Sequence, residues 1–150
     1  MKNRELYLKR LLHFKDKSQI KVITGVRRSG KSFLLDLFER SLFESFKVSP
    51  DNIVKINFEL EEFKNIADDV LLYKYIKEKI KNTDRKVYLL FDEIQNVKHW
   101  EKAINSLNID SNVDIYITGS NAYLLSSELS TLLSGRYVEI KMLPLSYKEF

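Results

Sequence analysis

The chain has 150 residues and 17.8 kDa, with 25 Lys plus Arg against 21 Asp plus Glu, a formal charge of +4 and a pI near 9.1. A hydrophobic fraction of 44% with 12% aromatics supplies a core for one domain and excludes a disordered tail, while the absence of cysteine excludes a disulfide framework and every thiolate metal site. The two histidines, His13 and His99, are too few for a histidine-rich metal centre and receive no role. Apolar periodicity then predicts an amphipathic helix over roughly Glu5 to Lys15, with Leu8, Leu11 and Leu12 at helical spacing, followed by a strand over Ile20 to Thr24. A helix from Lys31 to about Phe46 presents Leu34, Phe38 and Leu42 on one face, and a strand over Ile53 to Phe58 leads to a helix over Ala67 to Lys81 carrying Leu72, Ile76 and Ile80. A strand over Val87 to Phe91 precedes a helix whose Trp100, Ala103, Ile104 and Leu107 form an inward stripe, and Trp100 reads as core. A strand over Val113 to Thr118, a shorter helix over about Asn121 to Leu133 and a strand over Tyr137 to Lys141 complete the pattern.

Strands separated by helix-length connections define βαβ units, with right-handed crossovers and a mainly parallel sheet. The expected fold class is therefore α/β, a doubly wound sheet sandwiched by helices. Val87 to Phe91 does not alternate with polar residues, so it is placed mid-sheet, covered on both faces. The opening MKNRELYLKRLLHF interleaves charge with leucine and has no signal-peptide core. The longest fully apolar run, Val87 to Phe91, falls far short of the ~20 residues that span a bilayer. The expectation is a cytoplasmic protein without a membrane partner. Its mild basicity favours phosphate-bearing partners, nucleic acid included, without identifying one. Near the end, Ser146-Tyr147-Lys148-Glu149 is a capping-box pattern that opens a helix, yet the sequence stops at Phe150. The 150 residues are accordingly expected to be the N-terminal fragment of a longer protein.

The chemistry is concentrated in three places. Gly25-Val26-Arg27-Arg28-Ser29-Gly30-Lys31-Ser32 matches G-x-x-x-x-G-K-[ST], the P-loop or Walker A pattern, between a predicted strand and a predicted helix. The glycines let successive N–H groups and the helix N-terminus face a β-phosphate, Lys31 reaches the β and γ oxygens, and Ser32 supplies a hydroxyl for Mg²⁺. Arg27 and Arg28 either add positive potential near the phosphates or form a solvated pair. Next, the strand Val87 to Phe91 delivers Asp92 and Glu93 at its carboxyl edge, a Walker B arrangement. Asp92 is the expected outer-shell magnesium ligand and Glu93 the carboxylate that polarises an attacking water, which favours hydrolysis over transfer to an alcohol. The bland alternative for this pair is a charged cap after a core strand. A strand and helix, Ile53 to Lys81, fit between Lys31 and Asp92, an arrangement that resembles the additional-strand, catalytic-glutamate division of P-loop proteins. Finally, Ser120 and Asn121 end the fourth strand at the same edge, where either could contact the γ-phosphate or serve as an ordinary N-cap. Arg136, after Gly135, is a candidate arginine finger in the same chain or across a subunit interface, or else a surface arginine beside a turn.

With these residues in place, the stretches YLKRLLHF, ITGVRRSGKSFLL, LLFDEIQNVKHWEKAINSL and ITGSNAYLLSSELSTLLSGRYVEIKMLPLSYKEF closely resemble the AAA-like ATPases of bacteria and archaea, in which a P-loop domain is ordinarily followed by a C-terminal domain of unknown function. The resemblance covers essentially the whole chain. It implies a five-stranded sheet in the order 5-1-4-3-2, ATP and Mg²⁺ as ligands, and a nucleotide switch that controls a C-terminal domain absent from this sequence. The favoured expectation is an ATP hydrolase acting as a regulatory engine, with homo-oligomerisation compatible with an arginine finger. The alternatives are a nucleotide-binding switch or assembly module with negligible turnover, and a nucleotide-stimulated nucleic-acid-binding protein.

Overall fold

A computed structural model describes residues 2–26 and 29–144, the side chains of residues 2 and 3 excepted. The expected capping box at Ser146 to Glu149 and the loop residues Arg27 and Arg28 lie outside the described residues. The chain alternates as α1 (Lys2–Phe14), β1 (Ile20–Gly25), α2 (Lys31–Glu44), β2 (Ile53–Asn57), α3 (Asp69–Ile80), β3 (Val87–Asp92), α4 (Trp100–Asp110), β4 (Val113–Ser120), α5 (Ser126–Leu132) and β5 (Tyr137–Lys141). All the strand pairings are parallel and the order is β2-β3-β4-β1-β5, the order that the family resemblance implied.

Direction of travel along the sheet assigns the layers. The step from β1 to β2 runs one way and carries α2, whereas the steps through β3 and β4 to β5 run the other way and carry α3, α4 and α5. Right-handed crossovers put helices of opposite travel on opposite faces. One face accordingly buries Leu11 of α1 and Leu34, Leu35 and Phe38 of α2 against Ile23, Leu90 and Tyr116. The other buries Leu72, Ile76, Trp100, Ile104, Leu107 and Leu129 against Val22, Leu89, Phe91 and Ile117. Strand alternation sorts neighbouring residues between these two cores. The inward stripe on α4 is confirmed in full, with Trp100, Ala103, Ile104 and Leu107 all buried.

Two expectations need correction. Every residue of β3 is buried, as expected, but the strand stands second from the β2 edge and β4 occupies the centre. Hydrophobicity reports coverage of both faces, which any interior strand shares, and carries no rank within the sheet. The shorter helix begins at Ser126, later than the expected Asn121. After β4 the chain makes a tight turn in which Tyr123 and Leu124 donate their N–H groups to Ser120 O at 3.0 and 2.8 Å, driving Leu124 into the core beside Gly119. Neither Ser120 nor Asn121 caps α5, because the N-cap position is Leu125 and no side chain caps it. Among the described residues no helix is long and apolar enough to cross a membrane.

Candidate nucleotide-binding site

The strands β1 and β4 are neighbours whose onward helices, α2 and α5, lie on opposite faces, so a crevice opens at their carboxyl ends. In open α/β sheets this is where ligands bind. The chain leaves β1 at Gly25 with φ +153°, and a β-carbon there would stand 2.7 Å from Ser29 Oγ and 2.8 Å from the Met142 carbonyl oxygen. Only glycine fits. Gly30, at φ +94°, is the N-cap of α2 and supplies no capping side chain. The first hydrogen bond of the helix runs from Leu34 N–H to Gly30 O at 2.9 Å. The N–H groups of Lys31, Ser32 and Phe33 therefore precede the intrahelical ladder and face the loop as a set of oriented donors.

Lys31 is only 5% exposed and folds back along the loop, its Nζ donating to Gly25 O and Val26 O, both at 3.0 Å. Ser29 Oγ is buried with no hydrogen-bond partner among the described residues. A buried hydroxyl without a partner is uncommon in folded proteins. Together with the helix donors it fits a loop that encloses an anion.

Parallel pairing brings the second and third stretches to the same edge. Asp92 is buried at the end of β3, and its two carboxylate oxygens are divided between neighbours. Ser32 Oγ donates to Oδ2 and Thr118 Oγ1 donates to Oδ1, each at 2.5 Å. Thr118 Oγ1 also accepts the Glu93 N–H at 3.0 Å. Glu93 adopts the left-handed conformation, φ +56° and ψ +54°, which bends the chain sharply after the strand and is uncommon outside glycine. Its carboxylate accepts a hydrogen bond from Gln95 Nε2 at 2.5 Å, while Gln95 Oε1 is buried without a partner among the described residues. Ser120 is buried opposite Gly25 in the β1–β4 register, and Asn121 N–H donates to Gly25 O at 3.1 Å. Lys31, Ser32, Asp92, Glu93, Ser120 and Asn121 thus converge on one sheet edge.

Arg136 does not join them. It is exposed, and its carbonyl accepts the N–H of Ile20, the first residue of β1, at 2.9 Å. That puts it a full strand length away from Gly25, about 16 Å at the usual rise per residue. Action on the loop of its own chain has no geometric support. Two residues of the site escaped the sequence reading. Thr118 reads from the sequence only as strand, because its position beside Asp92 depends on the β3–β4 register; Gln95 carries no local signal, because its contact to Glu93 needs the turn that Glu93 makes. A groove of about 710 Å³ along the outer edge of β2, lined by Ile53, Lys55, Phe63 and Tyr75 among others, shares no residue with this site.

The fold and the loop geometry define a P-loop NTPase domain of the AAA type. The AAA domain family model matches residues 17–150, and the chain belongs to that family. It is 51% identical over its full length to an uncharacterized protein of Haemophilus influenzae and 46% identical over 135 residues to one of Methanocaldococcus jannaschii. It covers 37% and 28% of those proteins, so it spans about a third of the length of the relatives it matches. Among solved structures, a DNA polymerase III gamma subunit-related protein of Thermotoga maritima superposes with TM-score 0.65 at 12% identity, over 98% of this chain and 47% of that one. The Aeropyrum pernix ORC1 protein, solved in complex with DNA, matches with TM-score 0.65 at 13% identity, over 95% and 46% of the two chains. C. elegans PCH-2 follows at 0.60 and 18%, over 96% and 40%. At these identities the structural likeness establishes the fold.

Proposed function

We propose that the protein binds ATP with Mg²⁺ and hydrolyses it. The observation that carries this reading is the chain of contacts Ser32–Asp92–Thr118–Glu93, which ties the loop to two carboxylates at one sheet edge. The loop amides and Lys31 hold the β- and γ-phosphates, with Gly25 and Gly30 giving the backbone room to curve and Val26, Arg27, Arg28 and Ser29 completing the cradle. Ser32 and Asp92 are the residues that would hold magnesium. Their donor set suits this ion, which usually takes few protein oxygens together with substrate phosphates. Magnesium, when bound, neutralises charge on the phosphate oxygens. Glu93 orients and deprotonates the attacking water, and Thr118 sets the backbone from which it reaches. Ser120 and Asn121, beside Gly25, contact the γ-phosphate. Arg136 acts, if at all, on the site of a neighbouring copy, which would make the active form a homo-oligomer. Because the chain spans about a third of its relatives, we further propose that it is the N-terminal ATPase domain of a longer protein, acting as a regulatory engine for a C-terminal domain or a partner.

The test is MgATP binding and turnover by the purified protein across protein concentrations, beside Lys31→Ala and Glu93→Gln. Lys31→Ala is expected to abolish binding. Glu93→Gln is expected to keep binding and lose roughly 10²-fold or more in turnover. Equal turnover by Glu93→Gln and the parent would remove Glu93 from the role, and a faster-than-linear rise with concentration would support Arg136 across an interface.

One observation favours a second reading, a nucleotide switch with negligible hydrolysis. The Glu93 carboxylate accepts from Gln95 through Oε2, so Gln95 competes with an attacking water for that oxygen. Lys31-dependent binding with no turnover at any concentration would support the switch. Nucleic-acid contact rests on the basic balance and on a fold shared with a DNA-bound ORC1, and absent or salt-insensitive binding would dispose of it.

A further inference from the structure

We propose that Arg4, on the helix that precedes the sheet, is a direct ligand to the phosphate chain of the bound nucleotide. This rests on the nucleotide-binding reading above and extends it to a residue outside the loop and the strand ends. α1 packs beside α2 and brings the Arg4 side chain against the N-terminus of α2. A β-carbon built on Gly30 would stand 3.3 Å from Arg4 Nη2, 3.4 Å from Nε and 3.7 Å from Cζ. Both nitrogens are nearer than the carbon between them, so the Nε–Nη2 edge of the guanidinium is turned toward Gly30. The guanidinium also lies over the Phe33 ring, with Cζ 4.4 Å from its centroid.

The edge turned toward Gly30 selects the ligand. A base would stack on a guanidinium face, whereas the in-plane donors of the edge match the paired oxygens of a carboxylate or phosphate. Nε is buried and has no hydrogen-bond partner among the described residues. Leaving a charged donor buried without an acceptor is costly, and an acceptor that arrives with a ligand removes the cost. The same spot already carries the positive end of α2 and Lys31, so the neighbourhood accumulates positive charge that an anion would neutralise. Gly30 has no side chain to stand between the edge and the loop. Phe33 holds the guanidinium in place by cation–π contact, which reduces the entropy lost when the ligand is gripped.

The experiment compares wild type, Arg4→Met, Arg4→Lys and the exposed Arg10→Met on the same helix, titrated with MgATP and with inorganic tripolyphosphate. Arg4→Met is expected to weaken both by about tenfold, the loss of one charge-assisted hydrogen bond. Arg4→Lys, which keeps the charge and loses the fork, should fall between, and Arg10→Met should match wild type. Unliganded melting curves establish that each variant is folded. Tripolyphosphate affinity untouched by Arg4→Met overturns the proposal, and a loss confined to ATP reassigns the contact to the nucleoside and overturns it too. Wild type that binds neither probe overturns the nucleotide reading itself, a result distinct from wild-type affinity that survives Arg4→Met.

Discussion

Thr118 Oγ1 donates to one buried carboxylate oxygen of Asp92 and accepts the backbone N–H of Glu93, so one hydroxyl positions both acidic residues. Thr118→Val keeps the shape and removes both bonds. It should cost about 1–3 kcal/mol in urea unfolding, because Asp92 Oδ1 loses its partner inside the protein. Turnover should fall by about tenfold or more as Glu93 loses its tether, and Thr118→Ser should restore most of both. A Val variant with wild-type turnover would reduce Thr118 to packing. Gly25 and Glu93 illustrate a different kind of residue-level constraint. Gly25 is legible from the motif, since its positive φ and the close approach of Ser29 and Met142 admit no side chain. The positive φ of Glu93 is not legible, because the sequence offers a glutamate where backbone sterics favour glycine. Such strain persists where surrounding contacts over-determine the conformation, here the bonds from Glu93 N–H and to its carbonyl and carboxylate.

Among the elements, the helices were easiest to read where one face repeats strongly. The buried stripe of α4 shares one core with Leu89 and Phe91 of β3 and Ile115 and Ile117 of β4, the strands that lead to Asp92 and Thr118. Ile104 is completely buried there, and Ile104→Ala should cost about 2–5 kcal/mol through lost burial and the cavity left behind. Denaturant midpoints of the two proteins give this directly, and a cost below ~1 kcal/mol would mean that the helix repacks. The start of α5 was harder. Ser120 and Asn121 resemble N-caps locally, but the turn that buries Leu124 beneath Gly119 takes precedence, and a β-carbon on Gly119 would come within 2.3 Å of Leu124. Burial of a leucine outweighs a capping bond of typically ~1 kcal/mol, so tertiary contact overrode the local signal.

At the scale of the molecule, the sheet has two working edges. Opposite the candidate site, Lys21 and Asp114 form a buried ion pair at 2.6 Å, and Asp114 also accepts from Tyr116 OH and from the Asp16 N–H. Burial lowers the Lys21 pKa against the opposing pull of Asp114. Asp16 closes the network by accepting from Tyr88 OH at 2.6 Å. Burial raises the Asp16 pKa, but the hydrogen bonds from Lys15 and Tyr88 outweigh it and the net shift is downward from 3.8. A carboxyl with a depressed folded pKa contributes stability above its unfolded value and loses it as pH falls through the folded one. Asp16 should therefore stabilise the protein above about pH 4 and progressively less below it. The check is urea unfolding of wild type and Asp16→Asn between pH 6 and 3. The difference between them should shrink as pH falls, and a constant difference would remove Asp16 from the acid response.

The sequence by itself determined the α/β class, the strands and helices to within a few residues except at the start of α5, and the candidate loop, because period, glycine placement and strand-end carboxylates are local properties of the chain. Only the tertiary structure decided which residues face each other. The β3–β4 register set Thr118 against Asp92, strand polarity carried Arg136 to the edge away from Gly25, and helix packing brought Arg4 to Gly30. These juxtapositions depend on pairing between segments far apart in the chain, and no local pattern encodes the register or the side from which a partner arrives.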